Sequence, residues 1–181
     1  MKYMLISDIH GSASALKRAL AFYETFGCDR LMILGDILYH GPRNPLPEGH
    51  DPQGVVALLN PMKDQILAVR GNCEAEVDQM MLEFPCMGDY LLIEDSDISF
   101  FATHGHIYNP GKMPSIRNGS VFLYGHTHIW QLEKNADITF CNTGSISLPK
   151  QNNPPTFVIY DNGEISVFDL TSGNILKTLW I

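Results

Sequence analysis

The chain has 181 residues, 45% of them apolar and 18% charged, which suits one soluble domain with a sizeable core. Its formal net charge of -8 argues against a general nucleic-acid binder and against a protein held to anionic lipid, because both are more often basic. The acidity leaves room for a nucleotide-like substrate held by bound metals, since cations invert the local field.

The first half alternates strand and helix signals. An apolar run over 2–7 predicts a strand. The stretch 12–26 follows, with Leu16, Ala19, Leu20 and Tyr23 at helical spacing and Gly27 as a stop. A second strand is expected at 31–34. A second helix starts at Asp51-Pro52, carries Val55, Val56, Leu58 and Leu59, and ends before Pro61. A third strand is expected at 65–69. A third helix follows over 74–84, with Val77, Met80, Met81 and Phe84 on one apolar face and Pro85 behind it. Alternation of this kind implies βαβ units and a largely parallel sheet.

The second half changes character. Strands are expected at 90–94, 98–103, 121–124, 129–133, 138–141, 156–160, 164–168 and 175–179. Turn chemistry falls between them at 95–97, 135–137, 161–163 and 172–174. The whole chain, 1–181, therefore reads as a single domain that joins a βαβ half to a mainly antiparallel half. Two stretches, 40–51 and 106–119, resist assignment, and loops of this length are often functional.

Chemistry-bearing residues cluster at the ends of the apolar runs: Asp8 and His10, Asp36, Asn72, His104, then His126 and His128. In an open α/β sheet, ligands bind beyond the carboxyl ends of the strands, so five strand ends deliver these groups to one edge. Asp8-x-His10 in extended backbone points both side chains to one side, although Asp8 or Ser12 also suits a helix cap. Gly35 permits a sharp exit before Asp36. Asn72 is either a neutral oxygen ligand or a cap for the helix that follows. Of the seven histidines in the chain, His104, His106, His126 and His128 fall in two glycine-flanked clusters, which a structural role explains poorly. Two acids, an amide and several imidazoles suit a borderline divalent transition metal and not calcium, which takes oxygen alone. Seven ligands exceed one tetrahedral ion and fit two ions with a shared carboxylate.

Cys28, Cys73, Cys86 and Cys141 form no C-x-x-C pair and no zinc motif, and Cys28 and Cys141 sit by apolar runs where a thiol is buried. The apolar stretch before Asp8 is too short for a secretory signal, and no segment approaches the ~20 residues of a membrane span. A reducing, cytoplasmic setting is the expectation.

The series Asp8-x-His10, Gly35-Asp36, Gly71-Asn72, His104-Gly105 and Gly125-His126-Thr127-His128 is similar to the motifs of the calcineurin-like metallophosphoesterase superfamily. Residues 35–44, 69–74 and the Asn142–Ser145 turn resemble its small bacterial and archaeal phosphodiesterases most. The five motifs in this order are highly specific, and the match spans nearly the whole chain. The resemblance implies an α/β (α+β mixed) fold of two packed mixed sheets flanked by helices. It implies one metal on Asp8, His10, Asp36 and His128, and a second on Asp36, Asn72, His104 and His126. Two divalent ions are implied, manganese first, with iron, zinc or nickel as alternatives.

Many superfamily members carry a histidine directly after the motif asparagine, where it protonates the leaving group. Here that position is Cys73, a weaker acid at its reference pKa of ~8.5 and never an imidazolium. The resulting expectation is a phosphoric diester hydrolase acting on a small phosphodiester. A metal-activated hydroxide attacks phosphorus, and the ions offset charge on the non-bridging oxygens. Cys73 and His10 are the catalytic candidates. Arg43, His40 and Asn44 are candidates for holding substrate, with His106 and Arg70 bordering the site and His50 exposed. Apolar residues near Trp130 or Trp180 leave room for a homo-oligomer. A non-catalytic, Vps29-like scaffold that binds partner proteins is the alternative, and the intact ligand set argues against it.

Overall fold

The computed structural model describes residues 1–95 and 97–181. The first half runs β1 (Lys2–Ile6), α1 (Ala13–Phe26), β2 (Arg30–Ile33), α2 (Pro52–Leu59), β3 (Ile66–Ala68) and α3 (Glu76–Met81). The second half is β4 (Tyr90–Asp95), β5 (Ile98–Thr103), β6 (Val121–Tyr124), β7 (Gln131–Asn135), β8 (Ile138–Asn142), β9 (Thr156–Asp161), β10 (Glu164–Asp169) and β11 (Ile175–Trp180). The turn expected at 95–97 includes Ser96, which lies outside the described residues.

Two mixed sheets result. One has the order β11-β10-β9-β1-β2-β3, the other β4-β5-β6-β8-β7. β1 pairs in parallel with β2 and antiparallel with β9, so Leu5 sits between Met32 and Val158. In the second sheet β6 is flanked in parallel by β5 and β8. Both central strands are buried on both faces, which is why their sequences are continuous apolar runs and not alternating ones. The two-residue period still sorts their side chains. Tyr3 and Leu5 of β1 meet Val121 and Leu123 of β6 in the core between the sheets. Met4 and Ile6 turn the other way, against Leu16 and Ala19 of α1 and Val55 and Leu59 of α2. Phe122 and Tyr124 cover the outer face of the second sheet with Tyr108, Met113 and Ile116 from the long loop after β5.

Helix starts follow the expected chemistry. Ser12 Oγ accepts from the Ala15 amide, and Asp51 Oδ1 accepts from Gly54 at 2.9 Å. Gly27 closes α1 at a φ of 60°. α2 ends at Leu59, before Pro61 as expected, and the chain runs on through Pro61 as a 3-10 turn, Asn60–Gln65. The stretch 40–51 stays irregular; Ser12 and Ser14 hydroxyls pin it by donating to the Glu48 carbonyl.

Three expectations need correction. The helix foreseen over 74–84 is only Glu76–Met81, and its supposed core face points outward: Met80 is 82% exposed and Val77 60%. The cause is competition for the backbone. Glu74 is drawn toward β2 and cannot begin a helix, while Gln79 holds the Leu82 and Phe84 carbonyls and the Cys86 amide in an extended exit. Asp78 turns inward to take the Ala75 amide, so Asp78, Leu82 and Phe84 form the buried side. β7 begins at Gln131 and not at 129, because Thr127 Oγ1 holds the Ile129 amide in the preceding loop. Trp130 then packs against the core between the sheets, whereas Trp180 is 68% exposed. Cys86 and Cys141 are the buried thiols; Cys28 is half-buried, and all four cysteines are free.

Candidate metal centre

Strands β1, β2, β3, β5 and β6 end at one rim, and each hands its next residues to the centre. At the rim the backbone is not extended. Asp8, His10, Asp36, His126 and His128 all have positive φ, between 50° and 67°. The extended Asp8-x-His10 geometry expected from sequence is therefore replaced by left-handed residues, which cost energy in non-glycine residues and cluster at functional sites. A ladder along the turns holds them: the Asp8 amide donates to Gly35, His10 to Asp36 and Gly11 to Ile37. The glycines allow close approach. A Cβ on Gly71 would stand 2.1 Å from Asp36 Oδ1, and one on Gly125 would stand 2.1 Å from Ser7 Oγ.

Each carboxylate is split between a scaffold oxygen and a free one. Asp8 Oδ2 accepts from Ser7 Oγ at 2.6 Å and from the His126 amide at 3.0 Å. Asp8 Oδ1 is buried and has no hydrogen-bond partner; it faces His128 Nε2 at 3.3 Å and His10 Nε2 at 3.6 Å. Asp36 Oδ1 accepts from the Cys73 amide at 2.9 Å, while Oδ2 lies 3.5 Å from His104 Nε2 and 3.7 Å from His10 Nε2.

The histidines are fixed in the complementary way. His10 Nδ1 meets the Tyr39 carbonyl at 2.9 Å, His104 Nδ1 the Leu34 carbonyl at 2.6 Å, and His128 Nδ1 the Leu148 carbonyl at 2.6 Å. A carbonyl only accepts, so Nδ1 carries a proton and Nε2 is the nitrogen turned inward, free to ligate once it has lost its own proton. His10 Nε2 and His128 Nε2 then stand 3.2 Å apart. His104 Nε2 is 3.3 Å from Asn72 Oδ1 and 3.3 Å from His126 Nδ1. Lone pairs that converge at such distances repel unless a cation lies among them. Ligands ~2.1 Å from one metal are separated by roughly 3.0–3.4 Å, so the donor set fits divalent ions. Asp8, His10 and His128 form one such group, and Asp8, Asp36 and His104 another.

Electrostatics point the same way. Burial opposes ionisation of Asp8 and Asp36, but the facing imidazoles outweigh it and hold both carboxyls below their usual range. His104, lowered by burial and raised more by Asp36 and Asp8, reaches about 9, so the carboxylates that would hold a cation beside its Nε2 hold a proton there in the absence of one. His106, which packs on His104 and His126 with its Nδ1 unpartnered, is lowered to about 4 by burial and those rings.

Arg43 and Asn44 line a cleft of about 290 Å³ with Asp36, Asn72, His126, His128 and Lys150. His40 does not line this cleft: its ring packs on Tyr39 and His50, and its carbonyl accepts from the Asn44 amide. Arg70 is held in a fork by Asp89. His50 is half-buried, not exposed, because it fills the space beside Gly11. Asn72 caps no helix; α3 starts later, at Glu76.

Sequence reasoning missed four contributors. Lys150 lies in the cleft, and no motif marks it. Ser145 and Ser147 hydroxyls both donate to the Asp8 carbonyl. Glu74, buried, accepts the amides of Asp36, Ile37 and Gly71, and so straps two of the rim turns together. Burial and the Asp36 charge push it up to about 7 against those three donors.

A fold of two mixed sheets with acid, amide and imidazole donors at one rim has known counterparts. Residues 1–164 match the model of the calcineurin-like phosphoesterase superfamily domain, and the chain belongs to that superfamily of phosphoric ester hydrolases. It is 43% identical over 181 residues to phosphodiesterase YfcE of Escherichia coli K12, covering 100% of this chain and 98% of that one. The solved structure of the E. coli protein superposes with a TM-score of 0.98 at 42% identity, over 100% of both chains. Phosphodiesterase MJ0936 of Methanocaldococcus jannaschii is 24% identical over 152 residues, 80% of this chain and 83% of that one. Vacuolar protein sorting 29 from Cryptosporidium parvum shares the fold alone, at a TM-score of 0.66 and 14% identity over 99% of this chain and 98% of that one.

Proposed function

We propose that the chain, working as one domain over 1–181 in the cytoplasm, is a phosphodiesterase that acts on a small diester with two divalent ions at the rim. Asp8, His10, Asp36 and His128 hold one ion. Asp36, Asn72, His104 and His126 hold the other, with Asp36 shared. Manganese is the first choice and iron, zinc or nickel the alternatives, since the mixed oxygen and nitrogen donors suit all four. The observation that carries this reading is the unpartnered Asp8 Oδ1 among inward-facing Nε2 atoms. Bound there, such cations supply water acidic enough to act at neutral pH and positive charge opposite the phosphoryl oxygens.

The chain's own residues do the rest. Arg43 offers a planar fork of donors and Lys150 a second charge to a phosphate in the cleft. Asn44 lies beside them, its amide steadied by the His40 carbonyl. His10 stands between the two carboxylates and is paired with Cys73 as the catalytic set. The Cys73 sulfur lies within 4.8 Å of donor atoms of His10 and Asp36. Burial, then the Asp36 charge, push its thiol well above the usual range, so Cys73 holds its proton tightly and is a weak donor to a leaving oxygen, which favours esters whose leaving groups are already stable as anions.

The test is metal dependence. Chelation of the purified protein is expected to abolish hydrolysis of bis(4-nitrophenyl) phosphate, with Mn²⁺ restoring it as two ions per chain bind. Undiminished turnover in protein shown by elemental analysis to be metal-free would overturn the reading.

A further inference from the structure

An apolar groove of about 390 Å³ opens beside the metal centre, on the Cys73 side. Its lining includes Leu38 and Tyr39, Val77 and Met81 of α3, and Cys73. Two residues of the groove also touch the centre. The Cys73 sulfur both lines it and lies within 4.8 Å of donor atoms of His10 and Asp36, and the Tyr39 carbonyl holds His10 Nδ1. The one charged group in the lining is Asp78, which is buried with its Oδ2 engaged by the Ala75 amide. The groove thus presents sulfur, methyl and ring surface to anything inside it. The cationic cleft with Arg43 and Lys150 is a separate chamber.

We infer that this groove is a substrate subsite, and that it takes an aromatic or hydrocarbon arm of the phosphoric ester whose phosphorus sits at the metal centre. This rests on the phosphoesterase reading and names a substrate class within it. A nucleobase suits the groove less well, because its polar edge would be left without partners there. It also accounts for the outward apolar face of α3, where Val77 and Met81 serve a ligand and not the core.

Calorimetric titration of the manganese-loaded protein tests it with three non-hydrolysable probes: methylphosphonate, phenylphosphonate and 1-naphthylphosphonate. Affinity should rise at least about tenfold from methyl to naphthyl, the effect of taking roughly 60 Å² of apolar surface out of water. Met81→Asp and Val77→Asp, both at solvent-exposed positions, should flatten the series to within about twofold. Met80→Asp, on the same helix but outside the groove, should keep it. A flat series in the native protein overturns the subsite. So does a series that the groove variants leave intact, or one in which they change only the mass in light scattering, which would make the face a contact between copies. Failure of methylphosphonate itself to bind would instead strike the metal reading beneath.

Discussion

The rim and helix α3 break the ordinary rules of burial in opposite directions. At the rim, Asp8, His10, Asp36 and His104 are polar and buried. Along α3, Val77, Met80 and Met81 are apolar and exposed. Buried polar groups persist only when paired, and the rim ties one atom of each of these side chains to a backbone amide, a carbonyl or a serine hydroxyl. The second atoms, Asp8 Oδ1 and Asp36 Oδ2 among them, aim at the histidine Nε2 atoms and not at a void. Departures from local consistency tend to mark function, and these two departures adjoin.

The contrast can be broken most severely at Asp36. Asp36→Asn keeps the shape but removes the charge that the proposed function assigns to both ions. Turnover should fall at least about a hundredfold, beyond the cost typical of losing an outer-shell partner, and both ions should be lost in elemental analysis. Two tightly held ions with normal turnover would refute the shared position.

Glu74 comes next. Glu74→Ala strands three buried amides, those of Asp36, Ile37 and Gly71. At about 1–3 kcal/mol for each unsatisfied group, partly relieved by water, a loss of about 3 kcal/mol in denaturant unfolding is expected. Metal affinity should weaken about 10–100-fold in titration, because the strap also positions Asp36 and Asn72. A stable variant with native affinity would make the strap incidental.

The smallest effect belongs to α3. Met80→Lys replaces a side chain 82% exposed, so stability should change by less than about 0.5 kcal/mol and metal content not at all. A loss above about 1 kcal/mol would mean that this residue packs after all, and would weaken the contrast.

Much of this was legible in the residues. The meeting of the seven candidate ligands at one rim was legible because they follow apolar runs, and strand ends converge whatever the twist of the sheet. The two-sheet architecture followed from the family resemblance and from the change of pattern near Tyr90. The left-handed turns were not legible, since histidine at positive φ has no local signature; long-range amide bonds such as His10 to Asp36 impose it. Glu74 looked like a helix residue because nothing nearby reveals three amides waiting across the rim. Lys150 sits in a loop whose direction only the finished sheets determine. The face of α3 was misread because Val77, Met80 and Met81 have helical spacing but no inward partner: Asp78 and Gln79 spend their side chains on the backbone and set the rotation of the helix.

The two serine hydroxyls on the Asp8 carbonyl carry a last consequence. Asp8 follows the central strand of one sheet, and Ser145 and Ser147 follow β8 of the other. Asp8 is thus a rivet through both layers as well as an acid of the candidate metal centre. His126 and His128 arrive from the second layer, so the spacing of the donors is a gauge of how the layers are seated. A slide of one layer over the other is felt first as a misfit at the rivet. Seating the layers and assembling the centre are therefore a single mechanical event.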